Sequence, residues 1–287
     1  MSKLVRAISE NGGVVVAILD STEIVSEMQR LHTPSAPVSA ALGRLLTGAA
    51  LMGAMLKSVD DALTLRIQGG GPVGLLIAVA DGKGNLKGYV QNPLAEAPDH
   101  PDGKLNVGGV VGTNGMLSVI KDLGLKEPYV GQVPLVSGEI AEDLTAYYAT
   151  SEQIPTVCAL GVLVDKDLSI RRAGGYLLQL LPGATDEEIS LLEANIHKVK
   201  SMTAMLEAGM TVYEITELLL DGFHPNVLDE QEAHYHCDCS RERVERAYIS
   251  LGKAELAKIA TEQDTVELKC QFCNKAYTFH TADYTNL

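Results

Sequence analysis

Short apolar runs alternate with glycine-rich turns over the first 183 residues. Val14-Val15-Val16-Ala17-Ile18-Leu19 is continuous and β-branched, the pattern of a buried strand, and Asn11-Gly12-Gly13 supplies the turn before it. Asp20 and Ser21 offer caps for a helix over Glu23 to Leu31. Pro37 to Leu56 follows as a helix of small and apolar residues. Leu63 to Ile67 alternates as a half-buried strand does, Gly69-Gly70-Gly71-Pro72 turns the chain, and Val73 to Ala80 runs back. Asp81 to Asn85 reads as a hairpin loop before a strand over Leu86 to Val90, and Val107 to Gly112 continues the series. Ser151 to Pro155 leads into Thr156 to Val164, then Leu168 to Arg171, and Gly174 to Gly183 closes the unit. Many short strands with few helices predict an α/β (α+β) core of mixed sheets over residues 1–183, and no regular βαβ winding.

From residue 184 the period changes from two to 3.6. Thr185-Asp186-Glu187-Glu188 is a capping box opening a helix with apolar positions Ile189, Leu192, Ile196, Val199 and Leu206, stopped by Gly209. Thr211-Val212-Tyr213-Glu214 opens a second helix through Ile215, Leu218 and Leu219, ending at Gly222. Residues 184–230 therefore read as a helical connector. A third piece, residues 231–287, holds a helix from Ser240 to Leu251, a further turn or two from Ala254 to Ile259, and strands over Thr265 to Lys269 and Ala276 to Phe279. Its apolar residues are few, so a metal is the expected staple.

Composition narrows the function. Hydrophobic residues make up 46% of the 287, enough for a substantial core. The net charge of −14 opposes binding to nucleic acid or to an anionic membrane, and three Phe with no Trp leave little to stack on bases. Residues 181–236 carry eleven acidic side chains against Lys198 and Lys200, a net of −9. On composition alone an ordinary acidic, solvated connector is the simpler reading; the alternative is a segment that such self-repulsion leaves stable only while its apolar faces are covered. Pro37 to Leu56 has the length of a membrane span, but Arg44 and the small residues favour a buried helix of a water-soluble fold. Met1 to Arg6 lacks the apolar region of a signal peptide, and a cytoplasmic protein is expected. Gly69-x-Gly71-x-x-Gly74 matches a dinucleotide fingerprint in letters only, because Pro72 and a β-like run follow where a helix is needed.

The chemistry gathers in four of the five cysteines. Cys237-Asp238-Cys239 and Cys270-Gln271-Phe272-Cys273 form two pincers separated by thirty residues. This spacing predicts a closed four-sulfur site for one Zn²⁺ per chain, structural or regulatory because no coordination position remains for water. His234 and His236 flank the first pincer, and either could replace a sulfur; His280 follows the second. Metal-held thiolates are deprotonated and open to oxidants, and each has a partner one or two residues away. Spacing alone does not separate a static zinc ribbon from an oxidisable one. Cys158 lies in an apolar strand as a small hydrophobe without assigned role, and no catalytic residue or cofactor-binding residue is expected.

Cys237-Asp238-Cys239-Ser240-Arg241-Glu242-Arg243 with Cys270-x-x-Cys273 resembles the 33 kDa chaperonin family, the redox-regulated bacterial heat-shock holdases. Gln68 to Pro72, Gly88 to Pro93, Ser151 to Pro155 and Gly174 to Pro182 are similar to the same family. His236 directly before Cys237 departs from its pattern. The resemblance implies a core of mixed or antiparallel stacked sheets with helices, and an ATP-independent holdase, no enzyme, inactive while reduced and zinc-bound. It implies that oxidation pairs Cys237 with Cys239 and Cys270 with Cys273, frees the metal, and unfolds the zinc domain and then the connector. The implied partners are unfolding client proteins and a second copy in an active homodimer. Two other classes compete. A constitutive zinc-ribbon module would bind nucleic acid or a protein partner through Arg241, Arg243 and Arg246; a thiol–disulfide oxidoreductase would need its Cys-x-x-Cys at a helix start.

Overall fold

Ten strands pair edge to edge into one sheet in the computed structural model, which describes residues 2–284. The chain runs β1 (Ser2–Ile8), β2 (Val14–Asp20), α1 (Thr22–His32), α2 (Ala36–Gly53), β3 (Ala62–Gln68), β4 (Leu75–Asp81) and β5 (Asn85–Val90). It continues through α3 (Val107–Val111), β6 (Met116–Asp122), β7 (Tyr129–Pro134), α4 (Ala141–Tyr147) and a π-helical turn at Tyr148–Glu152. Then come β8 (Thr156–Val164), β9 (Ile170–Leu180), α5 (Asp186–Lys198), α6 (Met202–Glu207), α7 (Val212–Leu219) and β10 (Asn226–Tyr235). The strand order is β7-β6-β3-β4-β5-β10-β1-β2-β9-β8, antiparallel throughout except where β10 runs parallel to β5. The chain divides into two compact units between Tyr235 and His236.

Helix α2 explains the small-residue pattern. It packs against β3, β4 and β5 on one side and β2, β8 and β9 on the other, so 16 of its 18 residues are buried. Small side chains permit that approach. A Cβ on Gly43 would stand 2.7 Å from Val25 Cγ1 and 2.9 Å from Val162 Cγ2, inside contact distance of two stiff branched side chains. Arg44, the one charged residue of the helix, reaches Glu139 at 2.5 Å. Among the described residues no helix is long and apolar enough to cross a membrane.

The glycines of the apparent dinucleotide fingerprint have a packing reason. Gly71 N–H donates to Val111 O at 2.9 Å, and a Cβ there would lie 2.3 Å from Val110 O. The loop therefore lies against the backbone of α3 and passes into β4, not into a helix. Val107 to Val111 was expected to continue the strands and is helical instead, because the Asn106 side chain accepts from Gly109 N–H at 2.7 Å and caps it.

Helices α5 to α7 cover the outer face of β1, β2 and β9. Leu192, Met202, Met205, Leu206, Val212, Ile215 and Leu219 meet Val5, Val14, Val16, Ile18, Tyr176 and Leu178 in one buried cluster. Buried Asn195 ties α5 to the end of α7 by donating to Asp221 O at 2.8 Å and Leu219 O at 3.3 Å. The first connector helix, expected to run unbroken to Gly209, stops at Lys198. Val199 is extended, and Ser201 starts α6 by accepting from Ala204 N–H.

Residues 226–235, which polarity splits between connector and zinc-binding piece, form β10 inside the large sheet. Two of its acidic side chains face cations on β1. Arg6 donates to Asp229 from Nε at 3.0 Å, and Lys3 Nζ lies 2.8 Å from Glu230. At its end Tyr235 Oη donates to Gly88 O at 3.1 Å and accepts from Gly88 N–H at 3.2 Å. Gly43→Val should destabilise the core by about 1–3 kcal/mol through overpacking, read as a lower urea midpoint with the slope unchanged.

Candidate metal centre

The C-terminal unit is built from α8 (Arg241–Ile249), α9 (Lys253–Glu262), the hairpin β11 (Thr265–Lys269) and β12 (Ala276–His280), and a short 3₁₀ turn over Thr281–Tyr284. Five side chains make its buried core: Tyr248, Leu256, Tyr277, Phe279 and Tyr284. Three of them form an aromatic cluster with ring centroids 5.1–6.0 Å apart. Arg241 lies over the Phe279 ring at 4.5 Å. Ser240 caps α8 by accepting from Arg243 N–H at 3.2 Å, as its position after the first pincer suggests.

Both pincers are turns held by local bonds. Arg243 Nη1 meets Asp238 at 2.5 Å, fixing the residue between Cys237 and Cys239 to α8. In the hairpin turn Cys270 N–H donates to Lys275 O at 3.0 Å and Asn274 N–H to Cys270 O at 2.8 Å, with Asn274 at φ +58°. These turns bring four half-buried sulfurs together. Cys237 and Cys270 Sγ are 3.6 Å apart, Cys239 and Cys273 Sγ 3.4 Å, and all four lie within 4.8 Å of one another. A tetrahedral zinc with bonds of about 2.3 Å needs sulfurs about 3.8 Å apart. The donor set fits that ion in number, type and spacing.

Crowding perturbs the thiols. Burial pushes Cys237 up, and burial likewise raises Cys273. Burial opposes ionisation of Cys239 too, but hydrogen bonds from Tyr277 and the neighbouring thiols outweigh it and hold Cys239 below the ordinary thiol range. Tyr277 Oη stands 3.1 Å from Cys239 Sγ. The strand alternation that places Tyr277 and Phe279 on one face marks Tyr277 as a core residue; nothing in the pattern marks its hydroxyl as a sulfur partner.

Among the described residues the cluster comprises the four cysteines alone, and His234, His236 and His280 are exposed. His234 lies on β10, 3.5 Å from Glu232. Cys158 sits in β8 beside the main core, and burial pushes its thiol up to about 12. Of the three arginines a nucleic-acid module would use, Arg241 and Arg243 are engaged within the unit.

Fold and cluster define an α/β protein with a covering helical connector and a small module closed around four cysteines. Comparison with known proteins places that class. A family model described as Hsp33 protein matches residues 2–280. The 33 kDa chaperonin of Clostridioides difficile (strain 630) is 49% identical over 276 residues, covering 96% of this chain and 94% of its own. That of Clostridium perfringens (strain SM101) is 48% identical over 286 residues, 99% of this chain and 90% of its own. The crystal structure of the 33 kDa chaperonin (heat shock protein 33 homolog) of Thermotoga maritima superposes with a TM-score of 0.90 at 35% identity, covering 99% of this chain and 96% of that one. The chain belongs to the Hsp33 family, whose members are chaperones.

Metal binding at this cluster must displace thiol protons, most of all from Cys237 and Cys273, whose ionisation is hindered. Affinity for zinc is therefore expected to rise with pH and to fall as the thiols reprotonate in acid. Chelator competition across neutral and mildly acidic pH checks the sign.

Proposed function

We propose that the protein is a redox-controlled, ATP-independent holdase whose four cysteines hold one Zn²⁺ per chain while reduced. In that state the module is folded, the connector covers the core, and clients are not bound. Zinc at such a site contributes about 10–16 kcal/mol of folding free energy in small zinc peptides. A unit with five buried hydrophobic side chains among its described residues has little else to rest on.

Oxidation by peroxide removes the thiolates that hold the metal. In each pincer two thiolates lose two electrons, an S–S bond forms, the O–O bond of one peroxide breaks, and two solvent protons complete two waters. The pairs are Cys237 with Cys239 and Cys270 with Cys273. Neither disulfide nor sulfenic acid holds zinc as a thiolate does, so the switch piece, residues 231–287, loses its staple. The connector, residues 184–230, follows because its acidic helices depend on coverage. The freed surface binds unfolding proteins on the core, residues 1–183, acting as a homodimer in the cytoplasm. The protein acts by binding and turns over no substrate.

One observation carries this reading. The connector's apolar face and the β1-β2-β9 face bury each other, and the connector leads through β10 directly to Cys237. A surface large and apolar enough for clients is covered by the chain's own neighbour to the metal module. The two arginines already engaged inside the module weigh against a constitutive nucleic-acid site.

Peroxide with mild heat should release zinc and suppress client light scattering in parallel. Retained zinc, or zinc loss with unchecked aggregation, would refute the reading. Ile215→Glu separates connector from metal. It removes about 2–5 kcal/mol of packing and places an unpaired charge against the sheet. The expected protein binds clients while reduced and still holds its zinc, measured by scattering and metal content together.

A further inference from the structure

Tyr277 is divided between two environments. Its ring stands on β12 among the five buried side chains of the module, while its hydroxyl leaves that core for the sulfur cluster. Oη lies 3.1 Å from Cys239 Sγ and donates to the Cys239 carbonyl at 3.2 Å. A phenol has one proton to share between those acceptors. While Cys239 is a thiol, its S–H can point at Oη and the phenol is free to serve the carbonyl. A metal-bound thiolate has no proton to give, so the only hydrogen bond open to the pair runs from the phenol to the sulfur. Tyr284, another hydroxyl of the same core, meets Glu245 at 2.5 Å.

We propose that Tyr277 is a positioning residue of the switch: its hydroxyl donates to the metal-bound Cys239 sulfur, keeps that sulfur on the ion, and slows its attack on peroxide. This rests on the reading of the four cysteines as a metal-held redox site. Oxidation starts when a sulfur lone pair attacks the O–O bond. A donated hydrogen bond withdraws density from that lone pair and makes it a poorer nucleophile. The same bond orients the ligand, and losing such an outer partner typically costs about 10–100-fold in metal affinity. Both effects of losing it favour release. Tyr277 thus sets how much oxidant the protein tolerates before it opens.

Tyr277→Phe removes the hydroxyl and keeps the ring in its core; Tyr284→Phe removes a hydroxyl from the same core without touching a sulfur. Zinc content of the full-length reduced parent is measured first. A parent without zinc overturns the metal reading and this proposal with it. With one zinc per chain, Tyr277→Phe should bind zinc about 10–100-fold more weakly by chelator competition and release it several-fold faster under peroxide, with Tyr284→Phe near the parent. In cobalt-loaded protein the sulfur-to-metal charge-transfer band should move to longer wavelength in Tyr277→Phe alone, a change that loosened packing does not produce. Parent-like affinity, release rate and band position in Tyr277→Phe would overturn the proposal while leaving the metal reading intact. So would equal changes in both variants.

Discussion

Four sulfurs from two short turns, separated by thirty residues of chain, meet within 4.8 Å. Thiols gain little from such crowding. Burial works against ionising Cys237, Cys239 and Cys273, and without a cation the cluster has no strong attraction to hold it closed. A dication changes the sign by turning four crowded thiolates into ligands of one centre. The surrounding module is proportioned accordingly, with one aromatic cluster, two helices and a two-stranded hairpin. In the proposed account its fold is conditional on the metal, and the metal is conditional on the redox state of the sulfurs.

The large unit has the opposite character. Helix α2, buried along nearly its whole length between strands from both halves of the sheet, gives it an extensive apolar core of its own. Between these extremes lie α5 to α7. They are well capped, with Thr185, Ser201 and Thr211 each accepting from a first-turn N–H, and Asn195 joins α5 to the end of α7. Yet this segment carries seven acidic residues against two lysines and depends on an apolar face that β1, β2 and β9 also need covered. Lys3 sits where these dependencies cross, bridging to Glu230 on β10 and lying over the Tyr213 ring of α7 at 4.8 Å. In the proposed account, the gradient from a thickly packed core to a conditional connector and module is what lets a local oxidation have a distant readout.

Much of this was legible in the residues because it rests on local rules. The β-branched run at Val14 to Leu19, the capping boxes at Thr185 and Thr211, the small-residue helix and the cysteine spacing each carry their own signal, and each appears in the fold. What was not legible depends on partners distant in sequence. Asn226 to Tyr235 is too acidic to look like a strand and becomes one because β1 and β5 pair with it on either side. The short α3 reads as another strand until Asn106 caps it. The break at Val199 to Ser201 hides inside a helical period that runs on past it. At the site, the four sulfurs were evident, but the hydroxyl of Tyr277 was not, since its place beside Cys239 is set by the register of a hairpin that begins only at Thr265, distant in sequence from the first pincer.

The claim that metal loss propagates through the connector is tested most directly by hydrogen exchange followed segment by segment, with zinc and free thiols counted on the same samples. On oxidation the account predicts loss of one zinc and four thiols, loss of protection over residues 236–284, then loss over α5 to α7, while α2 and the β3-β4-β6 strands stay protected. Zinc and thiols lost with α5 to α7 still fully protected, and clients nonetheless bound, would contradict it.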